Sequence, residues 1–112
     1  MRNRKFNRIR LESQAKVMFG NQSFEALTEN LSLNGLFIRT DRRIPVGNKA
    51  AISFNLPSAS RSSTVTVDGV VVRNDVHGLA FQFKSLDHDS FSYLKTVINR
   101  KSPYRLREYF SA

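Results

Sequence analysis

No cysteine and no tryptophan occur among the 112 residues. Without cysteine there can be neither a disulfide framework nor a thiolate metal site, and the chain fits a reducing compartment. Without tryptophan, the core has to lean on the nine phenylalanines and on Leu, Ile and Val. No apolar run is long enough to span a bilayer. The charged N-terminus is followed by no apolar segment, so no secretory signal is expected and the chain reads as cytoplasmic. Histidine is scarce: His77 falls in a hairpin turn and His88 at a helix start, both ordinarily exposed positions. No His-x-x-x-His or paired-carboxylate spacing appears, and Ser53, Ser58, Ser60, Ser62 and Ser63 lack the context of a nucleophile elbow. An enzyme has almost nothing to stand on in these residues, and no metal site is expected.

Acidic residues are few as well. Nine Asp and Glu stand against 18 Lys and Arg, a net charge of +9. The imbalance sits at the ends. Residues 1–10 hold Arg2, Arg4, Lys5, Arg8 and Arg10 with no acidic residue, and residues 100–108 hold Arg100, Lys101, Arg105 and Arg107 with Glu108 alone against them. A basic chain draws anionic partners such as nucleic acid, nucleotides or acidic proteins. Charge confined to the ends suits a local site better than a broad DNA-binding face. The run Arg4-Lys5-Phe6-Asn7-Arg8 reads either as a solvated tail or as a ligand clamp, since arginine can grip a phosphate or a guanine edge with two parallel hydrogen bonds and stack on a base.

The length allows one domain, divided as a basic arm over 1–10, a folded body over 11–101 and a basic tail over 102–112. Within the body, alternation of apolar residues predicts strands. Glu12 to Phe19 places Ala15, Val17 and Phe19 on one face; Gly20-Asn21 turns the chain; Gln22 to Glu29 returns with Phe24 and Ala26 inward. A polar turn over Asn30 to Gly35 precedes a strand over Leu36 to Thr40. Asp41 to Gly47 is a loop. Ala50, Ile52, Phe54 and Leu56 alternate as a half-buried strand, and the Ser-rich Pro57 to Ser63 is a connection expected to be mobile. Thr64 to Asn74 is a long β-branched strand whose Gly69 suggests a bulge or a close backbone approach. After a turn at Asp75 to Gly78, Leu79, Phe81 and Phe83 form another strand. The period then becomes helical at Phe91, Leu94, Val97 and Ile98, with Asp87 or Asp89 as cap and Pro103 as stop. Six strands followed by one helix predict an all-β fold, a small antiparallel barrel closed by a C-terminal helix.

The turn Asn30-Leu31-Ser32-Leu33-Asn34-Gly35 is the other informative stretch. Its polar members face one way and Leu31 and Leu33 the other. Taken alone it reads as an Asx-type turn, with Asn30 bonding the backbone two residues on and Gly35 at positive φ.

Arg4-x-x-x-Arg8 followed by Asn30-x-Ser32-x-x-Gly35, in that order and in a β-rich chain of this size, resembles the paired signature of the PilZ domain family. The resemblance covers about residues 4–101. Gly35-Leu36-Phe37-Ile38, Pro45-Val46-Gly47 and Gly78-Leu79-Ala80-Phe81 agree with it, as does the C-terminal helix. It implies a six-stranded barrel with a C-terminal helix and binding of the bacterial second messenger cyclic di-GMP, with no other cofactor. By that resemblance Arg4 and Arg8 would contact phosphate and guanine, Asn30 and Ser32 would meet a guanine edge or a phosphate, and Gly35 would let the backbone come close. Arg39 is a secondary candidate, and Phe6 would pack inward to hold the arm. Many family members carry Asp where Asn30 stands; a carboxylate can accept from both guanine N–H groups, an amide oxygen on one side only.

The resemblance thus implies a cyclic di-GMP receptor, expected to be cytoplasmic, whose arm is ordered by ligand, altering the surface shown to a downstream protein. Two other readings compete. One is a nucleotide-independent PilZ-type adaptor using the barrel face and the basic tail. The other is a nonspecific nucleic-acid binder, disfavoured by the lack of aromatic stacking platforms.

Overall fold

The structure, a computed structural model, describes residues 8–57 and 62–101. Seven strands and one helix follow in order: β1 (Ile9–Arg10), β2 (Gln14–Phe19), β3 (Gln22–Leu31), β4 (Gly35–Arg39), β5 (Lys49–Pro57), β6 (Ser62–Asp75), β7 (Gly78–Ser85) and α1 (His88–Lys101). The strands run β1-β3-β2-β5-β6-β7-β4, and a further β3–β4 pairing closes the ring. Strands β2 to β7 form a six-stranded antiparallel barrel with no open edge to template aggregation, and β1 is an appendage paired to β3.

The predicted alternation is what fills the barrel. Ala15 and Val17 of β2, Ala50, Ile52, Phe54 and Leu56 of β5, Val65, Val67 and Val71 of β6, and Leu79 and Phe81 of β7 are all buried. Each large apolar side chain so buried contributes about 1.5–3 kcal/mol. Gly69 lies beside a register shift at Asp68/Gly69, but the extra residue there is Lys84 of β7 rather than one in β6. A Cβ there would come within 3.2 Å of both Ile52 Cδ1 and Phe81 Cβ, which explains the glycine as a close approach.

Helix α1 starts where Asp87 accepts the Ser90 backbone N–H at 2.7 Å, so Asp87 rather than Asp89 is the cap. Leu94, Val97 and Ile98 are buried, and the Tyr93 hydroxyl donates to the Leu56 carbonyl at 3.2 Å, which fixes the helix over one end of β5. Phe91, expected on the inward stripe, is instead 39% exposed. The predicted stop at Pro103 and the tail lie outside the described residues.

Several boundaries differ from the sequence reading; β2, for example, starts at Gln14 rather than Glu12. Ile9 and Arg10, expected in the arm, form β1, and Ile9 is buried. The polar turn is shorter than expected, because Asn30 and Leu31 complete β3. The Ser-rich connection is shorter too, since Pro57 pairs with Ser62 and Leu56 with Ser63; its centre, 58–61, is outside the described residues.

Candidate functional site

The strand β3 changes partners along its length. Gln22 to Leu27 pair with β2, and Asn30 and Leu31 pair with Arg10 and Ile9 of β1 on that same edge. The break between β1 and β2 is stitched by Thr28, which is fully buried. Its hydroxyl donates to the Leu11 carbonyl and accepts from the Ser13 N–H at 2.9 Å. Leu11 N also donates to the Glu29 carbonyl at 3.0 Å. The root of the basic arm is therefore part of the sheet, and Arg8 emerges from it one residue before β1.

On the other edge of β3 the register with β4 slips between Thr28 and Asn30, leaving Glu29 as an extra residue. A second slip between Val71 and Arg73 on β6 leaves Val72 extra against β7. Bulges of this kind bend a strand and re-aim its side chains. Beyond both slips the register runs straight across the sheet: Arg73 opposite Ala80, Ala80 opposite Phe37, Phe37 opposite Asn30, and Asn30 opposite Arg10. At about 4.8 Å per strand spacing, the path along the curved sheet from Arg73 to Asn30 is roughly 14 Å.

This row crosses a cavity of about 440 Å³ on the outside of the barrel, over β4 and β7. Arg8, Asn30, Ser32, Asn34 and Gly35 line one side, Arg73 and Val72 the other, and Phe37, Ala80 and Gln82 the floor between. Four residues singled out from the sequence are thus brought together: Arg8, Asn30, Ser32 and Gly35. Arg4 lies outside the described residues, as do Arg2, Lys5 and Phe6. Arg39 does not line the cavity. It lies two positions beyond Phe37 on β4, with its guanidinium 3.9 Å from Glu12 and 4.0 Å from Glu29, so its charge is directed to carboxylates.

Ser32, not Asn30, organises the turn. The Ser32 hydroxyl oxygen accepts the backbone N–H groups of Asn34 at 3.1 Å and Gly35 at 3.2 Å. Ser32 N donates to the Gly35 carbonyl at 2.9 Å, and Phe83 N to the Asn34 carbonyl at 2.9 Å. Gly35 does not adopt the positive φ expected of it; among the described residues only Gly20 and Gly47 do. Its glycine is required by proximity, because a Cβ would collide with the Phe81 carbonyl oxygen.

Arg73 is a site residue that the sequence did not reveal. Its guanidinium lies 5.4 Å from the centroid of the Phe37 ring, a cation–π distance, and its Nε is 3.2 Å from Asp75 Oδ2. Asp75 Oδ1 meanwhile accepts from the N–H of His77 at 2.8 Å and of Gly78 at 3.2 Å. These bonds, His77 first, with Arg73 adding its charge, hold the Asp75 carboxyl below its ordinary range against a contrary effect of burial. The signal that could have found Arg73 is the run Val70-Val71-Val72-Arg73, whose phase a bulge would change.

Paired basic groups, a half-buried amide and a tightly folded turn around a floor of Phe37, Ala80 and Gln82 suit a flat, anionic, hydrogen-bonding ligand. The PilZ domain profile matches residues 2–100. The chain belongs to the PilZ domain family. In a sequence comparison with curated proteins, no match is found. Three solved structures share the fold at low identity. The Bacillus subtilis inhibitor of motility MotI/DgrA superposes with a TM-score of 0.78 at 14% identity, covering 100% of this chain and 54% of its own; the chain thus spans about half the length of that relative. The PilZ domain of YcgR from Escherichia coli, solved with c-di-GMP, gives 0.71 at 15% identity over 89% of this chain and 92% of its own. The PilZ domain of CeSA from a cellulose-synthesizing bacterium gives 0.65 at 14% identity over 81% and 93%. PilZ domains are regulatory binding and adaptor domains. Among the described residues of this one, no helix is long and apolar enough to cross a membrane, and no cluster of His, Cys, Asp or Glu could hold a metal ion.

Proposed function

We propose that this PilZ domain is a cytoplasmic receptor for cyclic di-GMP that passes the signal to a protein partner. The observation that carries the reading is that one cavity is lined by Arg8 from the first motif and by Asn30, Ser32 and Gly35 from the second. Arg8 supplies a fork for phosphate or for the guanine O6/N7 edge. Asn30 presents an amide to a guanine edge. Ser32 acts chiefly through the turn it folds, and Gly35 keeps the floor open beside β7. Ligand phosphates draw Arg4 and Arg8 against the turn, the arm becomes ordered over the barrel, and the changed surface is what the partner reads.

Calorimetry with cyclic di-GMP at modest salt tests this. Saturable binding at low-micromolar concentration is expected, lost in Arg8→Ala. Folded protein that takes up no cyclic di-GMP overturns the reading, and an Arg8→Ala variant that binds normally moves the site elsewhere.

A further inference from the structure

The cavity has a wall that neither motif supplies. It is built by Val72 and Arg73 on β6. Regular alternation would turn one of two consecutive residues inward, as it does for Val65, Val67 and Val71. The slip between Val71 and Arg73 instead leaves both Val72 and Arg73 exposed and facing the cavity. Ala80 stands between Arg73 and Phe37 in the register row. Its small side chain leaves room for the guanidinium to reach the Phe37 ring, so the cation is laid along the floor. One edge of that guanidinium, Nε, is held by Asp75 Oδ2.

Resting on the reading of this cavity as a cyclic di-GMP site, we propose that Arg73 is a further ligand-binding residue, gripping the phosphodiester or guanine at the end of the cavity away from the two motifs, and that Asp75 is its built-in competitor. The two oxygens of Asp75 divide the work. Oδ1 folds the β6–β7 turn through His77 and Gly78, and Oδ2 occupies Arg73. A phosphate arriving in the cavity competes with that carboxylate for the guanidinium. The pair is exposed, with 63% of the Arg73 side chain and 37% of the Asp75 side chain accessible, so the competition is mild. The carboxylate lowers affinity and selects for ligands that carry a full negative charge at this position.

Binding of cyclic di-GMP to Arg73→Gln, Arg73→Lys, Asp75→Asn and the Arg73→Gln/Asp75→Asn double variant tests the proposal. Asparagine keeps an oxygen for the His77 and Gly78 N–H groups, while an NH2 group replaces the oxygen facing Arg73, so both the charge and that acceptor are removed. Arg73→Gln is expected to weaken binding by about tenfold or more, as for loss of a charged hydrogen bond. Arg73→Lys is expected to lie between, having charge without the fork. Asp75→Asn is expected to tighten binding by roughly threefold, and that gain should vanish in the double variant, because it acts through Arg73. Thermal unfolding without ligand serves as the control, and an unchanged midpoint in Arg73→Gln assigns its loss to binding. If wild-type protein binds and Arg73→Gln binds equally well, the proposal fails while the receptor reading stands. If Asp75→Asn tightens binding equally in both backgrounds, the competitor role fails. If the wild-type protein takes up no cyclic di-GMP, both readings fail together.

Discussion

Arg10 and Asn30 face each other across the β1–β3 pair, which joins the basic arm to the strand that carries the second motif. Their neighbours, Ile9 and Leu31, form the inward pair, and both are buried. Arg8 is thus positioned by a buried isoleucine one residue away rather than by the arm's own charge. Ile9→Ala is expected to cost about 2–4 kcal/mol of stability, read from urea unfolding. It should also weaken cyclic di-GMP binding in protein that is still folded, because the β1 pairing that aims Arg8 is loosened.

Two glycines should respond to the same substitution for different reasons. Gly20 has φ 59°, and a Cβ added there would meet nothing within 4 Å. Gly20→Ala therefore carries only the left-handed backbone penalty of roughly 1–2 kcal/mol and should leave binding intact. Gly35 has an ordinary φ, but its Cβ would collide with the Phe81 carbonyl inside the β4–β7 ladder. Gly35→Ala is expected to cost about 3 kcal/mol or more and to reduce binding by displacing the Ser32–Gly35 turn. Equal effects of the two variants on stability and binding would contradict this assignment.

What is legible in the sequence is whatever depends on local period. Ala50 to Leu56 alternate, and β5 is buried on that phase; Leu94, Val97 and Ile98 keep helical spacing, and they cover the barrel end. The ring itself, six strands and a helix, follows from counting such segments and from the motifs. What stays hidden depends on partner strands. A bulge is a one-residue slip against a neighbour, so the extra residues Glu29 and Val72, and with them the aim of Asn30 and Arg73, are set by β4 and β7 rather than by local sequence. Strand β1 is masked by the charge around it, although Ile9 and Leu11 carry the alternation of a core edge. Asx turns favour asparagine, which points to Asn30 as the organiser of the turn, whereas the ladder claims Asn30 and leaves the bonds to Ser32. Arg39 stands close to the second motif in sequence, but Glu12 and Glu29 account for its position.

Ser32 offers a way to separate folding from recognition. Its hydroxyl already accepts two backbone N–H groups and is mostly buried. Ser32→Ala removes those bonds and is expected to cost about 1 kcal/mol, with a loss of binding that follows from a looser turn. Hydrogen exchange of the Asn34 and Gly35 amides should quicken in the free variant. If exchange is unchanged while binding is lost, the hydroxyl acts on the ligand directly.

The cap of α1 sets an acid limit on the helix. Asp87 is held below its ordinary range chiefly by the backbone N–H of Ser90, with the Ser90 hydroxyl next. The sign follows from linkage: a carboxyl whose folded pKa is depressed adds stability above the pKa of the unfolded chain and loses it as the pH falls through the folded value. The contribution is therefore complete at neutral pH and fades below about pH 4. In Asp87→Asn the side-chain oxygen can still cap Ser90, but the titration is gone, so its stability should fall less steeply than wild type between about pH 5 and pH 3. Asp87→Ala loses the cap outright and should be less stable than wild type at neutral pH. Helical circular dichroism followed through urea unfolding at each pH gives the comparison. Parallel pH profiles for wild type and Asp87→Asn would show that the acid sensitivity of α1 arises elsewhere.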